Sequence, residues 1–147
     1  NNRWTFIRSR DDNFEYVKSK IPNNLNVIFI DTTHEAEHVE KLIYNYYDIL
    51  VPGGYLFIDD ISHLPYLDKK NKADFYCEIN NKETFDKILE IYYFNSENFN
   101  LNFSFYSSGL AIIKKNNNFK LNNTKKLTSM KFTFKNLVRK IWQKLKS

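Results

Sequence analysis

The sequence predicts an α/β domain built on a mostly parallel sheet that ends in an antiparallel strand. Three observations carry that prediction. Strand-like and helix-like patterns alternate from Trp4 to Ile58, "NVIFID" and "YLFID" are apolar on both faces, and two later strand-like runs are joined by Ser108-Gly109. Alternation of this kind gives parallel strands with right-handed crossovers, and strands apolar on both faces belong to sheets covered on both sides.

Trp4 to Arg8 reads as the opening strand. "DDNFEYVKSKI" then reads as a helix with Asp11 or Asp12 near its start, where a carboxylate satisfies free N–H groups. Pro22-Asn23-Asn24 breaks it before the strand "NVIFID". In "THEAEHVEKLIYNYYDIL", Ala36, Val39, Leu42, Ile43, Tyr46 and Ile49 or Leu50 recur at helical spacing. Glu35 and Glu37 sit in the first turn, the end of a helix that favours negative charge. "VPGG" is turn chemistry ahead of the strand "YLFID". Residues 62–81 read as an irregular insertion and "KETFDKILEIYYF" as a further helix. "LNFSFYSS" and "GLAIIKK" read as an antiparallel pair at the sheet edge. The domain therefore spans 1–115, with a polar linker at 116–123 and a basic helical tail at 124–147.

The 147 residues suffice for one core, and ten Tyr with thirteen Phe exclude a chain disordered by composition. Cys77 is the single cysteine, which excludes an internal disulfide and a multi-cysteine zinc site. No apolar run approaches the ~20 residues of a membrane span, and no signal peptide is visible, so a cytoplasmic protein is expected. The net charge of +5 hides an asymmetry. Residues 1–113 hold all seventeen acidic side chains and eleven basic ones, a net −6, whereas residues 114–147 hold eleven basic and no acidic ones, a net +11.

The chemistry concentrates in three aspartates. Asp31 ends one strand and Asp59-Asp60 end the next. In open α/β sheets ligands bind outside the carboxyl ends of the strands, and neighbouring strands lie about 4.8 Å apart. Three carboxylates then converge on one small volume, and a hard divalent cation such as Mg²⁺ relieves their repulsion. The alternative is a strand that simply ends at the surface. His34, a turn beyond Asp31, points to the same rim, while His38 and His63 read as ordinary surface or core residues.

"VIFIDTTHEAEHVEKLIYNYYDILVPGGYLFIDDIS" resembles the second half of a class I S-adenosylmethionine-dependent methyltransferase. The likeness is to the macrocin and catechol O-methyltransferase-like group, with Asp-x-x-His, then Pro-Gly-Gly, then a strand ending in Asp-Asp. It is strong over 27–62, and the flanking pattern extends it to about 4–114. The resemblance implies a Rossmann-like fold with S-adenosyl-L-methionine as cofactor. It implies Mg²⁺ held by Asp31, Asp59 and Asp60, and His34 as the group that accepts the proton of a sugar or catechol-like hydroxyl. His34 and Glu37 stand where many relatives carry His and Glu. "RDDNFEYV" resembles the segment whose acidic residue lies near the cofactor's adenine, with Asp12 as the counterpart, although the glycine of that segment is missing. The family's glycine-rich loop and the acidic residue after its second strand are not in the sequence. The first two strands are therefore expected to precede Asn1, leaving this chain inactive alone.

Rival readings fit less well. A haloacid dehalogenase-type phosphatase needs Asp-x-Asp where this chain has Asp31-Thr32-Thr33, and no Gly-x-x-x-x-Gly-Lys loop supports a nucleotide hydrolase. A non-catalytic module recruited by the tail stays open. In that tail Phe134, Leu137, Val138, Ile141, Trp142 and Leu145 share one helical face, with Lys131, Lys135, Arg139, Lys140, Lys144 and Lys146 largely off it. Packing on its own domain or on a second copy is the first expectation, and peripheral attachment to a membrane surface the second. Nucleic acid is disfavoured, because no binding motif is present and the domain is acidic.

Overall fold

A computed structural model describes residues 3–33, 35–62, 72–125 and 127, and the tail positions 134, 137, 138, 141, 142 and 145. The element order is α1 (Phe14–Lys18), β1 (Leu25–Ile30), α2 (Ala36–Ile49), β2 (Leu50–Asp59), α3 (Lys72–Asn95), β3 (Phe99–Ser104) and β4 (Leu110–Lys115). The four strands form one sheet in the order β1-β2-β4-β3. β1 runs parallel to β2, with Ile30 beside Ile58. β4 is antiparallel to both β2 and β3, as the short Ser108-Gly109 connection requires.

One face of the sheet carries the core. Ile30, Leu56, Ile58, Ala111, Ile113 and Phe99 meet Val39, Leu42, Ile43 and Tyr47 of α2 and Ile88 and Ile91 of α3. α2 is buried where its periodicity places it, with Tyr47 added to the expected stripe. Tyr47 is fully buried because its hydroxyl finds a partner, donating to Asn98 O at 2.7 Å. Burial pushes that phenol up to about 12. The opposite face is open. Val27 and Phe29 of β1 are 60% and 57% exposed, so among the described residues this strand is covered on one side only, where its sequence predicts cover on both.

Four other expectations change. Trp4 to Arg8 is not a strand: a strand needs a ladder partner, none lies beside them among the described residues, and Trp4 and Phe6 stay exposed. The first helix shrinks to five residues, because Asp11 and Asp12 point to other partners, Asn13 makes no side-chain cap, and the Ser19 hydroxyl donates to Tyr16 O. Pro52-Gly53-Gly54 lies inside β2 rather than before it. Residues 51–54 bulge between the Leu25–Leu50 and Val27–Tyr55 pairs, and Gly53 supplies the positive φ of 83° that the bulge uses. Part of the expected insertion, from Lys72 onward, belongs to α3.

The segment after β4 is tied down on the helix layer. Asn122 N donates to Asn95 Oδ1 at 2.6 Å, Tyr44 OH donates to Asn122 O at 2.8 Å, and Leu127 N donates to Glu90 Oε1 at 2.6 Å. Lys87 bridges Glu40 of α2 and Glu90 of α3, which holds the two helices under this strap. Beyond it, the six described tail positions are helical, yet their side chains are 39–81% exposed.

Candidate functional site

Parallel pairing of β1 with β2 decides where the aspartates go. Asp31 follows Ile30 and Asp59 follows Ile58, and those two residues are register partners, so the carboxylates emerge side by side at the carboxyl edge. One oxygen each from Asp31, Asp59 and Asp60 lies within 4.8 Å of the others. Asp31 is exposed and the other two are half-buried. Asp60 is held at a φ of 59°, a left-handed conformation unusual for a residue with a side chain and found most often at turns and functional sites.

The turn is braced from the connection between β3 and β4. Ser108 Oγ donates to Asp59 Oδ1 at 2.9 Å, and Asp60 N donates to the same oxygen at 2.9 Å. Ser62 N donates to Ser108 O at 2.7 Å, and Asn81 Nδ2 of α3 donates to Ser62 O at 2.9 Å. Gly109 makes this close approach possible. Its φ is 85°, and a Cβ there would stand 2.5 Å from Ser62 N.

Beneath the carboxylates is an indentation lined by Ile30, Thr32, Thr33, Val39, Ile58, Asp59, Asp60 and Thr84. Thr84 is buried, and its hydroxyl has no hydrogen-bond partner among the described residues. A buried polar atom without a partner is costly and points to something missing from the protein atoms alone. Asp59 and Asp60 line it, and with Asp31 they form the all-oxygen donor set a hard divalent cation takes, so the residues fit such an ion.

A second polar cluster supports the loop that carries Asp31. Thr32 Oγ1 donates to Asp11 Oδ2, His38 Nε2 lies 3.2 Å from both Asp11 Oδ2 and Thr32 Oγ1, and Tyr46 OH donates to Asp11 O at 3.0 Å. Burial pushes the Asp11 carboxyl up, but the bonds from Thr32 and His38 and the His38 charge together hold it below the usual range. Sequence reasoning assigned His38 no role and missed Thr32, Thr84 and Ser108. The spacing Thr84, Ile88, Ile91 was the available sign that Thr84 faces inward. Asp12 is elsewhere: Arg10 Nε donates to its carboxylate at 3.0 Å and Lys41 Nζ lies 3.7 Å away, so its pKa falls chiefly through Arg10. His34 and His63 lie outside the described residues.

Residues 1–61 match the family model described as a methyltransferase domain. No curated protein matches the chain. Among solved structures, the chain is similar to a protein assigned as a caffeoyl-CoA O-methyltransferase from Staphylococcus aureus, at 21% identity and a TM-score of 0.51. That match covers 74% of this chain and 50% of that one. It is also similar to the SAH-bound methyltransferase PaMTH1 of Podospora anserina, at 11% identity and a TM-score of 0.55, covering 76% of this chain and 48% of that one. The chain thus has the Rossmann-like methyltransferase fold and spans about half the length of these two structures.

Proposed function

We propose, for a chain that matches a methyltransferase-domain family over residues 1–61 and carries the methyltransferase fold, that it forms part of an S-adenosylmethionine-dependent O-methyltransferase assisted by a divalent metal. The observation that carries this reading is the convergence of Asp31, Asp59 and Asp60 at the carboxyl edge of the sheet. The cofactor supplies a methyl group already activated on a sulfonium, and the metal supplies a Lewis acid that fixes and acidifies the acceptor hydroxyl.

The chain's own residues do the positioning. Asp31, Asp59 and Asp60 would hold Mg²⁺, with Ser108 and the Asp60 amide keeping the Asp59 carboxylate aimed. Asp11 and His38 hold Thr32 and thereby the turn that presents Asp31. His34 accepts the hydroxyl proton, and Asp12 contributes to the cofactor side. The acceptor is a hydroxyl of a sugar or another small molecule, the kind of group whose proton a divalent ion held by these carboxylates would make easier to remove.

Transfer of labelled methyl from S-adenosylmethionine to a panel of glycoside and catechol-like hydroxyls tests this on the protein that contains this chain. Transfer should depend on added Mg²⁺ and fall about a hundredfold or more in Asp59→Asn, with the fold intact by circular dichroism. Undiminished transfer in excess chelator would remove the metal from the proposal, and absence of methyl transfer to every hydroxyl would remove the acceptor class.

A further inference from the structure

The tail is the feature that the catalytic reading leaves unused. Its six described positions, Phe134, Leu137, Val138, Ile141, Trp142 and Leu145, are helical and exposed, Phe134 by 81% and Leu145 by 80%. At 100° per residue they fall within an arc of about 140°, forming a single, largely exposed stripe of two aromatic and four aliphatic side chains. Monomeric proteins seldom leave such a contiguous stripe uncovered. Among the described residues no helix is long and apolar enough to cross a membrane.

Charge identifies what covers it. Residues 124–147 contain eight Lys or Arg and no acidic residue, while residues 1–113 carry a net −6. At helical spacing, Lys135 and Arg139 fall at one border of the stripe, with Lys140 and Lys144 at the other. Cations along both borders suit an anionic lipid surface, because their aliphatic stems reach from the apolar level to the headgroups. The strap adds geometry. Leu127 is fixed to Glu90 of α3, on the opposite side of the sheet from the exposed Val27 and Phe29.

We propose that the helical tail positions Phe134, Leu137, Val138, Ile141, Trp142 and Leu145 present an amphipathic face that lies in the interface of an anionic membrane and holds the domain at its surface. The domain's own negative charge would keep the body off the headgroups, leaving the tail as the point of contact.

Co-sedimentation of the full chain with phosphatidylcholine vesicles, with and without phosphatidylserine, tests this. The chain should bind the anionic vesicles and bind the neutral ones weakly, and raised salt should release it. Leu137→Glu with Ile141→Glu should weaken binding about tenfold or more, with no loss of folding because both side chains are exposed. Tryptophan emission should move to shorter wavelength on vesicle addition in the parent and not in the double variant. Residence of the chain in the supernatant with both vesicle types would overturn the proposal. So would equal binding by parent and double variant, and an RNA competitor that strips both from the vesicles alike would identify a polyanion reader instead.

Discussion

Thr84 buries a hydroxyl that no described group satisfies, directly under the aspartates. Thr84→Val keeps the shape and removes the unpaired atom, so the metal-free chain should gain about 1 kcal/mol in urea denaturation. If the hydroxyl also serves the ion, the same variant should bind Mn²⁺ more weakly in a paramagnetic resonance titration. Gly109→Ala should act in the opposite direction. It combines a φ of 85° with a Cβ 2.5 Å from Ser62 N, which strains the turn by more than about 1 kcal/mol and pulls Ser108 from Asp59. Stability and Mn²⁺ affinity should fall together. Asp11 sets a pH dependence. Its folded pKa is lowered, so its stabilising effect is present above the unfolded value of about 3.9 and is lost as pH falls through the folded value. Asp11→Asn should be less stable than the parent at pH 7, and the two denaturation midpoints should converge in acid below pH ~4.

The single covered face of the sheet makes a contrast at the level of elements. Ile43 of α2 is fully buried between the sheet and α3, and Ile43→Ala should cost about 2–5 kcal/mol through lost burial and the cavity left behind. Phe29 belongs to the same sheet but faces outward, stacked on Phe57 at 6.4 Å between ring centres. Phe29→Ser in this chain should cost about 1 kcal/mol or less. Parallel urea titrations of the two variants measure the difference directly. Equal losses would mean that the outer face is covered in solution.

For the whole molecule, two surfaces are exposed that soluble domains usually cover. One is the tail stripe, and the other is the sheet face of Val27, Phe29, Tyr55 and Phe57, which continues to the unpaired edge of β1. An open edge beside an apolar face invites pairing with a second copy. The chain should therefore associate as its concentration rises in sedimentation velocity, and Phe29→Lys should shift it towards monomer with little change in stability. A concentration-independent monomer would show that the stacked rings Tyr55, Phe57 and Phe29 shield one another well enough to need no partner.

The order of elements from β1 onward, the stripe of α2, the antiparallel β3–β4 pair and the meeting of Asp31 with Asp59 were all legible in the sequence. Each follows from local periodicity or from the rule that binding residues gather at the carboxyl ends of parallel strands. The carboxylate pair needed only the assumption that consecutive strands are neighbours, which β1 and β2 are. Tertiary structure decided the rest. An apolar strand looks the same whether one or both faces are covered, so the openness of Val27 and Phe29 depended on which side α2 and α3 took. Trp4 to Arg8 has strand-like residues, but a strand exists only with a ladder partner, and that is a property of the assembled sheet. The Asp11–Thr32–His38 cluster joins residues 21 and 27 positions apart, and Ser108 reaches Asp59 across 49. Nothing in local pattern reports such separations, because chain crossings rather than side-chain preference bring those atoms together.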